Sequence, residues 1–308
     1  MKETINYYYN LDINELEEKD GRYHFVFNKK DYFFVYYNRL IEELDEILKC
    51  VSNMKQKNID CHNILLNING NVLTKIADKD YILFEVTNME EEYDITDMIK
   101  INERLVLSSN FSKLYRNNWA TLWSEKIDYF EYQIRELGLH KKVILETFSY
   151  YLGLAENAIS YVYNTTKNHP ISFNDQLVLS HRRIFYPNLK LNYMNPLSFI
   201  FDLEVRDIAE YLKSVFFSSS NIDPFLELVT YLKIKKLTIY SYQMLIARLL
   251  YPSYYFDLYE DIMNNEKDEN KLIPIISKVN EYEIFLKKAF LEILKYAPIA
   301  KIEWILNR

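Results

Sequence analysis

The spacing of apolar residues changes near residue 97, and this change limits the folds open to the chain. Before it, strand-like runs surround one helical segment. After it, apolar residues recur mostly at helical spacing. The strand-like runs are 23–27, 31–37, 63–68, 72–76 and 81–86. We predict turns at 28–30 and at Asn69-Gly70, the latter joining the third and fourth runs as a hairpin. The expected fold is α+β, with a small lobe of mainly antiparallel strands and one helix over 40–57, and a large helical lobe from about residue 98.

Glycine is scarce in this chain, which has only Gly21, Gly70, Gly138 and Gly153, none close to another. A Walker loop needs clustered glycines so that backbone N–H groups can surround phosphates, and a Rossmann turn needs them for close approach to a pyrophosphate. Both phosphate-binding motifs are therefore excluded. The turn at Asp20-Gly21 is the one candidate for a kinase glycine-rich loop, and a single glycine in a turn indicates only a turn.

The composition indicates a globular protein with ample core material, since 49% of residues are hydrophobic. The net charge of −7 argues against a nucleic-acid partner. Two cysteines, Cys50 and Cys61, fit a reducing compartment better than a disulfide framework. The sequence shows neither an apolar signal core nor a run of about 18 apolar residues that could span a membrane. We expect a cytoplasmic protein.

The segment from Leu177 to Leu212 carries the layout of a phosphotransferase site with one change. Such a site places an aspartate two residues after a loop histidine, an asparagine five residues later, and a second aspartate at the end of a following strand. Here His181 is followed by Arg182 and Arg183, so arginine stands where the proton acceptor belongs. Asn188 has the asparagine spacing, and Asp202 ends the apolar run 199–201.

Five further segments carry a family resemblance through their order and spacing. They are W-x3-W-SEKID-x2-E (119–131), YYLGLAENAISY (150–161), SHRR (180–183), RDIAEYLK (206–213) and ARLLYPSYYFD (247–257). The chain resembles the aminoglycoside phosphotransferase and choline kinase superfamily, and within it the spore-coat-associated kinase-like proteins of endospore-forming firmicutes. The resemblance implies a bilobal protein-kinase-like fold, with residues 1–97 as the small lobe and 98–308 as the helical large lobe.

The resemblance also assigns roles to individual positions. Asn188 and Asp202 match the family's magnesium ligands, and they are either remnants of the fold or ligands still. Asp207 matches a later aspartate that is usually structural. The lysine that grips ATP phosphates should fall at 35–37, where none occurs. The nearest basic residues are Lys29, Lys30 and Arg39, and the acidic residues on the helix that would pair with such a lysine are Glu42, Glu43 and Glu46.

Two interpretations of Arg182 and Arg183 are open. They form ion pairs with carboxylates such as Asp202 or Glu204, or they form an anion site for a phosphate or an acidic peptide. His181 is expected to be a structural histidine that braces the loop. The five histidines show no metal-ligand spacing, so we expect no metal site.

Two functions follow from these residues. The first is a pseudokinase that acts by binding a protein partner, made in the cytoplasm and deposited on the forespore or spore coat, with no cofactor. The second is a divergent phosphotransferase that uses Mg-ATP and a displaced carboxylate, Asp175 or Glu204, as base. General-base help is worth about 10²–10⁴-fold in rate, and phosphate positioning contributes more. The missing base, lysine and glycine loop therefore favour the first.

Overall fold

The structure is a computed structural model that describes residues 1–19, 21–87, 92–107, 112–137, 140–264 and 266–307. The chain forms two compact units. The first comprises Met1–Tyr93, Ser109–Leu114 and Asn188–Ile200, and the second comprises Asp94–Ser108, Tyr115–Pro187 and Phe201–Arg308. The lobe boundary predicted after residue 97 stays a prediction.

An antiparallel sheet of six strands forms the body of the first unit. Its strands are β1 (Glu17–Lys19), β2 (Arg22–Phe27), β3 (Lys30–Tyr36), β4 (Asn63–Leu65), β5 (Thr74–Ile76) and β6 (Lys79–Glu85). They lie in the order β1-β2-β3-β6-β4, and β5 also pairs with β6. The predicted turn at 28–30 is confirmed: Asn28 and Lys29 have φ angles of 50° and 64° between β2 and β3. Gly21 also has a positive φ of 70°, while Asp20 lies outside the described residues.

The hairpin predicted between the runs 63–68 and 72–76 is wrong. Strand β4 ends at Leu65 and pairs with β6, and β5 pairs with β6 as well. The intervening segment instead closes on itself, because the Asn67 side-chain oxygen accepts from the backbone N–H groups of Asn69 and Asn71. Gly70 does adopt the left-handed conformation expected of a turn, with φ at 77°.

Within its described residues, the first unit includes the helices α1 (Lys2–Tyr9), α2 (Leu44–Gln56) and α6 (Leu189–Met194). Helix α2 follows a 3₁₀ turn at Ile41–Glu43, which confirms the helix predicted over 40–57. Its buried residues recur at helical spacing, at Ile47, Cys50, Val51 and Met54. The sequence did not predict α1, which buries Ile5 in a core with Phe25, Phe34 and Leu83.

The second unit is mainly helical. Its helices are α3 (Ile95–Arg104), α4 (Trp119–Leu137), α5 (Lys142–Asn168), α7 (Val205–Phe217), α8 (Pro224–Ile234), α9 (Ile239–Leu250), α10 (Ser253–Met263), α11 (Ile273–Ser277), α12 (Val279–Ile293) and α13 (Glu303–Leu306). Strands β7 (Leu177–His181) and β8 (Phe199–Leu203) form a two-stranded sheet. This architecture confirms the α+β class.

Helix α9 is the centre of the second unit. Every residue from Tyr240 to Leu250 is buried, and the helix packs against α5, α7 and α12. A helix enclosed on all sides must satisfy any charged residue it carries within the protein. Arg248 on α9 and Glu210 and Lys213 on α7 are such residues. These helices therefore bring buried charges together.

Candidate functional site

His181 ends strand β7 and is held by Asp207 of helix α7. Its backbone N–H donates to Asp207 Oδ1 at 3.1 Å, and its Nδ1 lies 2.7 Å from Oδ2. Both side chains are almost completely buried. Because one carboxylate binds both the backbone and the ring of His181, it fixes where strand β7 ends and the following loop begins. This is the bracing geometry expected of a structural histidine.

Arg183 forms its ion pair with Asp257 of helix α10. The guanidinium binds the carboxylate through Nε and a terminal nitrogen, and the other terminal nitrogen donates to the Arg182 carbonyl oxygen at 2.7 Å. Burial alone would lower the pKa of Arg183, but the charge of Asp257 raises it. Ion pairing through Asp202 or Glu204 was therefore the wrong expectation for this arginine, since its partner lies 74 residues along the chain.

Asp202 lies near the end of strand β8 and is fully buried. Its Oδ1 accepts from the Leu203 backbone N–H at 2.8 Å and from the Trp119 indole N–H at 3.0 Å. Its Oδ2 accepts from the same indole at 2.9 Å and from the Arg206 guanidinium at 2.6 Å. Burial raises the pKa of Asp202, and Arg206 and Arg248 oppose that rise. A carboxylate has about four lone-pair positions, and three donors contact this one, with the Trp119 indole N–H shared between its two oxygens.

Asn188 belongs to the first unit, where it precedes helix α6 with φ at 85°. Its side chain makes no capping hydrogen bond, while its carbonyl oxygen accepts from the backbone and side chain of Asn192 at 3.1 and 2.6 Å. The residue is exposed. Its observed role is therefore to start a short helix through its backbone.

Arg39 is the basic residue nearest the expected lysine position, just beyond β3. Its Nε donates to Glu43 at 2.6 Å, and both side chains are almost fully buried. One terminal nitrogen donates to the carbonyl oxygens of Leu197 and Phe199 at 2.8 and 2.9 Å. Val35 of β3 and Tyr37, which follows the strand, are both buried in this unit. Arg39 thus joins segments of the first unit that are far apart in sequence.

The other residues named around the expected lysine position also lie in the first unit. Lys30 pairs with Glu85 at 2.9 Å. Glu46 accepts from the Ser112 hydroxyl and from the Lys113 backbone N–H. Lys29 lies in the β2–β3 turn. Most of the residues named around the expected lysine position therefore already have partners in the protein itself.

A charge cluster lies in the second unit on the loop after β7, strand β8 and helices α7, α9 and α10, and it is buried except at Arg183 and Asp257, which are 30% and 28% exposed. We define it as Arg183, Asp202, Arg206, Glu210, Lys213, Arg248 and Asp257, joined through shared hydrogen bonds and electrostatic contacts. Glu210 is its hub, with Oε1 accepting from Lys213 at 2.8 Å and from Arg248 at 2.7 Å, and Oε2 accepting from the Ser253 hydroxyl at 2.9 Å. These bonds hold the pKa of Glu210 well below its usual range despite burial.

Two tryptophans cover Arg248. The guanidinium carbon lies 5.1 Å from the ring centre of Trp119 and 5.4 Å from that of Trp123. Trp123 also stacks on Tyr251, with ring centres 4.2 Å apart. Four of the five segments that carry the sequence resemblance supply residues to the charge cluster or to this aromatic layer. The spacing of the motifs alone could not show that these four segments lie together.

Comparison with known proteins shows the family of this chain. Residues 2–289 match the family described as "Spore coat putative kinase YutH". The chain belongs to the YutH family. The endospore coat-associated protein YutH of Bacillus subtilis (strain 168) is 31% identical over 189 residues, which are 56% of this chain and 55% of that protein. The match therefore spans about half the length of that relative.

Solved structures with a similar fold are phosphotransferases. This YutH-family chain superposes on an aminoglycoside phosphotransferase from Alicyclobacillus acidocaldarius with a TM-score of 0.62, at 9% identity, covering 93% of this chain and 94% of the other. For the AMP-bound spectinomycin phosphotransferase APH(9)-Ia the TM-score is 0.60, at 14% identity, covering 94% and 96%. Identities this low show the fold alone, which is kinase-like.

The two carboxylates predicted as displaced bases are engaged in this YutH-family protein. Asp175 Oδ1 accepts from the hydroxyls of Thr238 and Ser241, and its Oδ2 accepts from the backbone and hydroxyl of Ser172. Glu204 pairs with Lys235 at 3.1 Å; burial raises its pKa while Lys235 lowers it. Asp175 thereby joins the loop before β7 to the start of α9.

Sequence reasoning did not single out Glu210, Lys213 or Arg248. Charged residues inside a helical pattern usually mark a solvent-facing side, and only the enclosure of α7 and α9 shows that these are buried. A usable signal was present, because all three lie inside the segments that carry the family resemblance. Within the described ranges, three or more histidine, cysteine or acidic side chains do not gather where they could hold a metal ion. Nor does any helix in those ranges have the length and low charge of a membrane-spanning segment.

Proposed function

We propose that this chain is a non-catalytic member of its kinase-like family and acts by binding a protein partner during assembly of the spore coat. The coat context rests on the family and on the Bacillus subtilis relative. The non-catalytic part rests on one observation above all: both oxygens of the Asp202 carboxylate accept from three donors of the protein itself. A magnesium ligand must offer an oxygen to the ion.

The residues at the nucleotide positions do not fit Mg-ATP. Arg183 places a positive charge where a base should accept a proton, and its guanidinium is held by Asp257. Asn188 makes no side-chain capping bond and contributes its backbone to α6. The strand positions 35–37 hold no lysine, and the described turn at Gly21 is not glycine-rich. Each departure removes a different contribution to phosphoryl transfer.

A displaced carboxylate base is the competing proposal, and the hydrogen bonds of its two candidates weigh against it. Asp175 has four donors around it, so a substrate hydroxyl would have to displace one of them. Glu204 is held by a lysine whose charge favours the ionised carboxylate but also occupies it. Losing the general base alone costs about 10²–10⁴-fold in rate.

Mg-ATP binding is the decisive test. We expect no rise in melting temperature and no heat of binding when the full chain is titrated with ATP and magnesium to millimolar concentration. A ligand at 100 times its Kd would stabilise the folded state by about 2.7 kcal/mol, which both methods detect. Micromolar Mg-ATP affinity, or hydrolysis above that of a blank, would overturn the non-catalytic proposal.

The partner and the location need a separate test in sporulating cells. We expect the protein to be made in the mother-cell cytoplasm and recovered afterwards in the coat fraction of purified spores. Affinity capture of a tagged protein should enrich coat proteins over a tagged, unrelated cytoplasmic control. Recovery only in the cytoplasmic fraction of mature cultures would contradict the coat assignment without affecting the test of ATP binding.

A further inference from the structure

Arg248 differs from the other arginines of the charge cluster in the use of its hydrogen-bond donors. Its Nε donates to Glu210 at 2.7 Å, but its two terminal nitrogens make no hydrogen bond within the described residues. Its side chain is only 3% exposed. A guanidinium has five N–H donors in a planar fork, so most of the donor capacity of Arg248 is unused.

The donors of the neighbouring arginines are engaged. Arg206 donates to Asp202 and to the carbonyl oxygens of His181 and Arg182. Arg183 donates to Asp257 and to the Arg182 carbonyl oxygen. Among the arginines of this cluster, Arg248 is therefore the one whose terminal nitrogens lack acceptors. Among the described residues, some polar side-chain atoms are shielded from solvent and have no hydrogen-bond partner. The Arg248 terminal nitrogens do not belong to that group, so each keeps some contact with solvent.

By itself, the charge cluster has more cations than carboxylates. Its cationic residues are Arg183, Arg206, Lys213 and Arg248, and its carboxylates are Asp202, Glu210 and Asp257. The nearby Asp207, whose oxygens bind the backbone N–H and the ring of His181, is a fourth carboxylate, and with it the four cations are matched in number. Within the cluster, burial and the charge of Arg248 lower the pKa of Arg206 to about 10, while Asp202 and Glu210 oppose that fall. Burial likewise lowers the pKa of Lys213 to about 8, with Arg248 adding to the effect and Glu210 opposing it.

The two tryptophans fix the fork in one orientation. Trp119 and Trp123 present their rings to the guanidinium, and Glu210 holds its Nε. Cation–π contact and an ion pair to a single nitrogen restrict the plane of the group while leaving the terminal N–H groups directed elsewhere. A fork held in this way has lost the conformational freedom that binding a ligand would otherwise cost.

From these contacts we propose that Arg248 binds a small oxyanion, a phosphate or carboxylate group, through its two terminal nitrogens. Guanidinium pairs with such groups through two parallel hydrogen bonds. The inference rests on the proposed function, because it gives the binding protein a chemical class of ligand. The oxyanion can be free in solution or can be part of a partner.

The test uses the full chain with inorganic phosphate and with acetate, each compared with chloride at equal ionic strength and pH. We expect one or both oxyanions to raise the melting temperature above the chloride value and to change tryptophan fluorescence, because Trp119 and Trp123 contact Arg248. A response to phosphate alone assigns a phosphate-bearing ligand, and a response to acetate as well assigns a carboxylate-bearing one. Adenosine serves as a further arm, since a nucleotide site responds to it and an oxyanion site does not.

The informative variant is Arg248→Lys. Lysine keeps a positive charge that can reach Glu210 but lacks the two terminal nitrogens, so oxyanion affinity should fall by about 10-fold to 100-fold. The matched control is Arg183→Lys, the same replacement at an arginine whose donors Asp257 and a backbone carbonyl already engage. We expect it to change the affinity less than Arg248→Lys does.

If Arg248→Lys does not fold, hydrogen exchange on the wild-type chain decides the question. Phosphate or acetate should then slow exchange in the peptides of α9 and α10 relative to chloride. The proposal is overturned if both oxyanions act like chloride, or if the lysine variant binds as tightly as wild type. Such a failure leaves the non-catalytic proposal in place, because that proposal depends on Mg-ATP.

Discussion

Replacing Asp202 with asparagine should weaken the fold rather than remove a metal site. The side chain is fully buried and its ion pair with Arg206 is 8% and 0% exposed on the two sides. Asparagine can still accept from Leu203 and from the Trp119 indole. Its amide N–H₂, however, would face the Arg206 guanidinium, donor against donor, and leave that charge without a carboxylate.

The expected loss follows from these contacts. Breaking a buried ion pair by removing one partner costs about 3–5 kcal/mol. Because two of the hydrogen-bond donors to residue 202 keep an acceptor in Asp202→Asn, the lower end, about 3 kcal/mol, is the expected fall in the free energy of unfolding. For a chain of this size that corresponds to a fall of roughly 5 °C in melting temperature.

The assay compares urea and thermal melts of wild type, Asp202→Asn and Asp257→Asn at pH 7. Asp257→Asn is the matched control, because it makes the same change in an Asp–Arg pair that is about 30% exposed. Its loss should be at most about 1 kcal/mol. The reasoning is refuted if Asp202→Asn is as stable as wild type, or more stable, since removing a carboxylate from a functional site often relieves strain.

Three further changes test other parts of the structure. Arg183→Asp should lower the free energy of unfolding at pH 7 by about 1–2 kcal/mol, because it places a carboxylate against Asp257, and it should yield no phosphotransfer; equal stability to wild type in urea melts would contradict this. Burial lowers the pKa of His62 from 6.5 to about 4, so its contribution is present above pH 6.5 and is lost as pH falls towards 4. The loss amounts to about 3 kcal/mol. In His62→Asn, the free energy of unfolding from urea melts should change much less between pH 6.5 and pH 4 than it does in wild type. Burial raises the pKa of Tyr240 and Tyr255 to about 12, so their contribution is present below pH 10 and is lost as pH rises towards 12; absorbance at 295 nm should show a late group of tyrosinates appearing together with unfolding, and ionisation of all tyrosines near pH 10 would refute it.

Local patterns in the sequence predicted local structure well. The positive φ angles at Asn28 and Lys29, the stripe of buried residues on α2 and the strand before His181 all depend on a few neighbouring residues. The failures involve choices of partner. Asn69-Gly70 carries a strong hairpin signal, but pairing with β6 is decided across the sheet, where β6 receives both β4 and β5. Helix α1 contributes one fully buried residue, Ile5, and so shows almost no apolar period.

The candidate site was predictable in its positions and not in its contacts. The loop after His181 and the strand that carries Asp202 are observed, but Asn188 belongs to the other unit, and a site formed by these residues stays a prediction. Spacing could not choose Asp257 over Asp202 as the partner of Arg183, because the fold decides which of these distant residues lies beside it. Nor could it show that RDIAEYLK lies inside the protein, since its charged residues have the spacing of an ordinary exposed helix face.

The contacts of Asp202 and Asp175 give the proposed function its physical meaning. Unpaired carboxylates held close together in an active site cost stability until a metal binds. Here each carboxylate is surrounded by donors from the same unit, so its hydrogen-bonding capacity is met without a ligand. Under the proposed function, selection on these residues would act on stability and on the oxyanion site at Arg248. Substitutions at Asp202 and at Arg248 should therefore change different properties. A substitution at Asp202 should lower stability without changing the response to adenosine or Mg-ATP, and one at Arg248 should change oxyanion affinity.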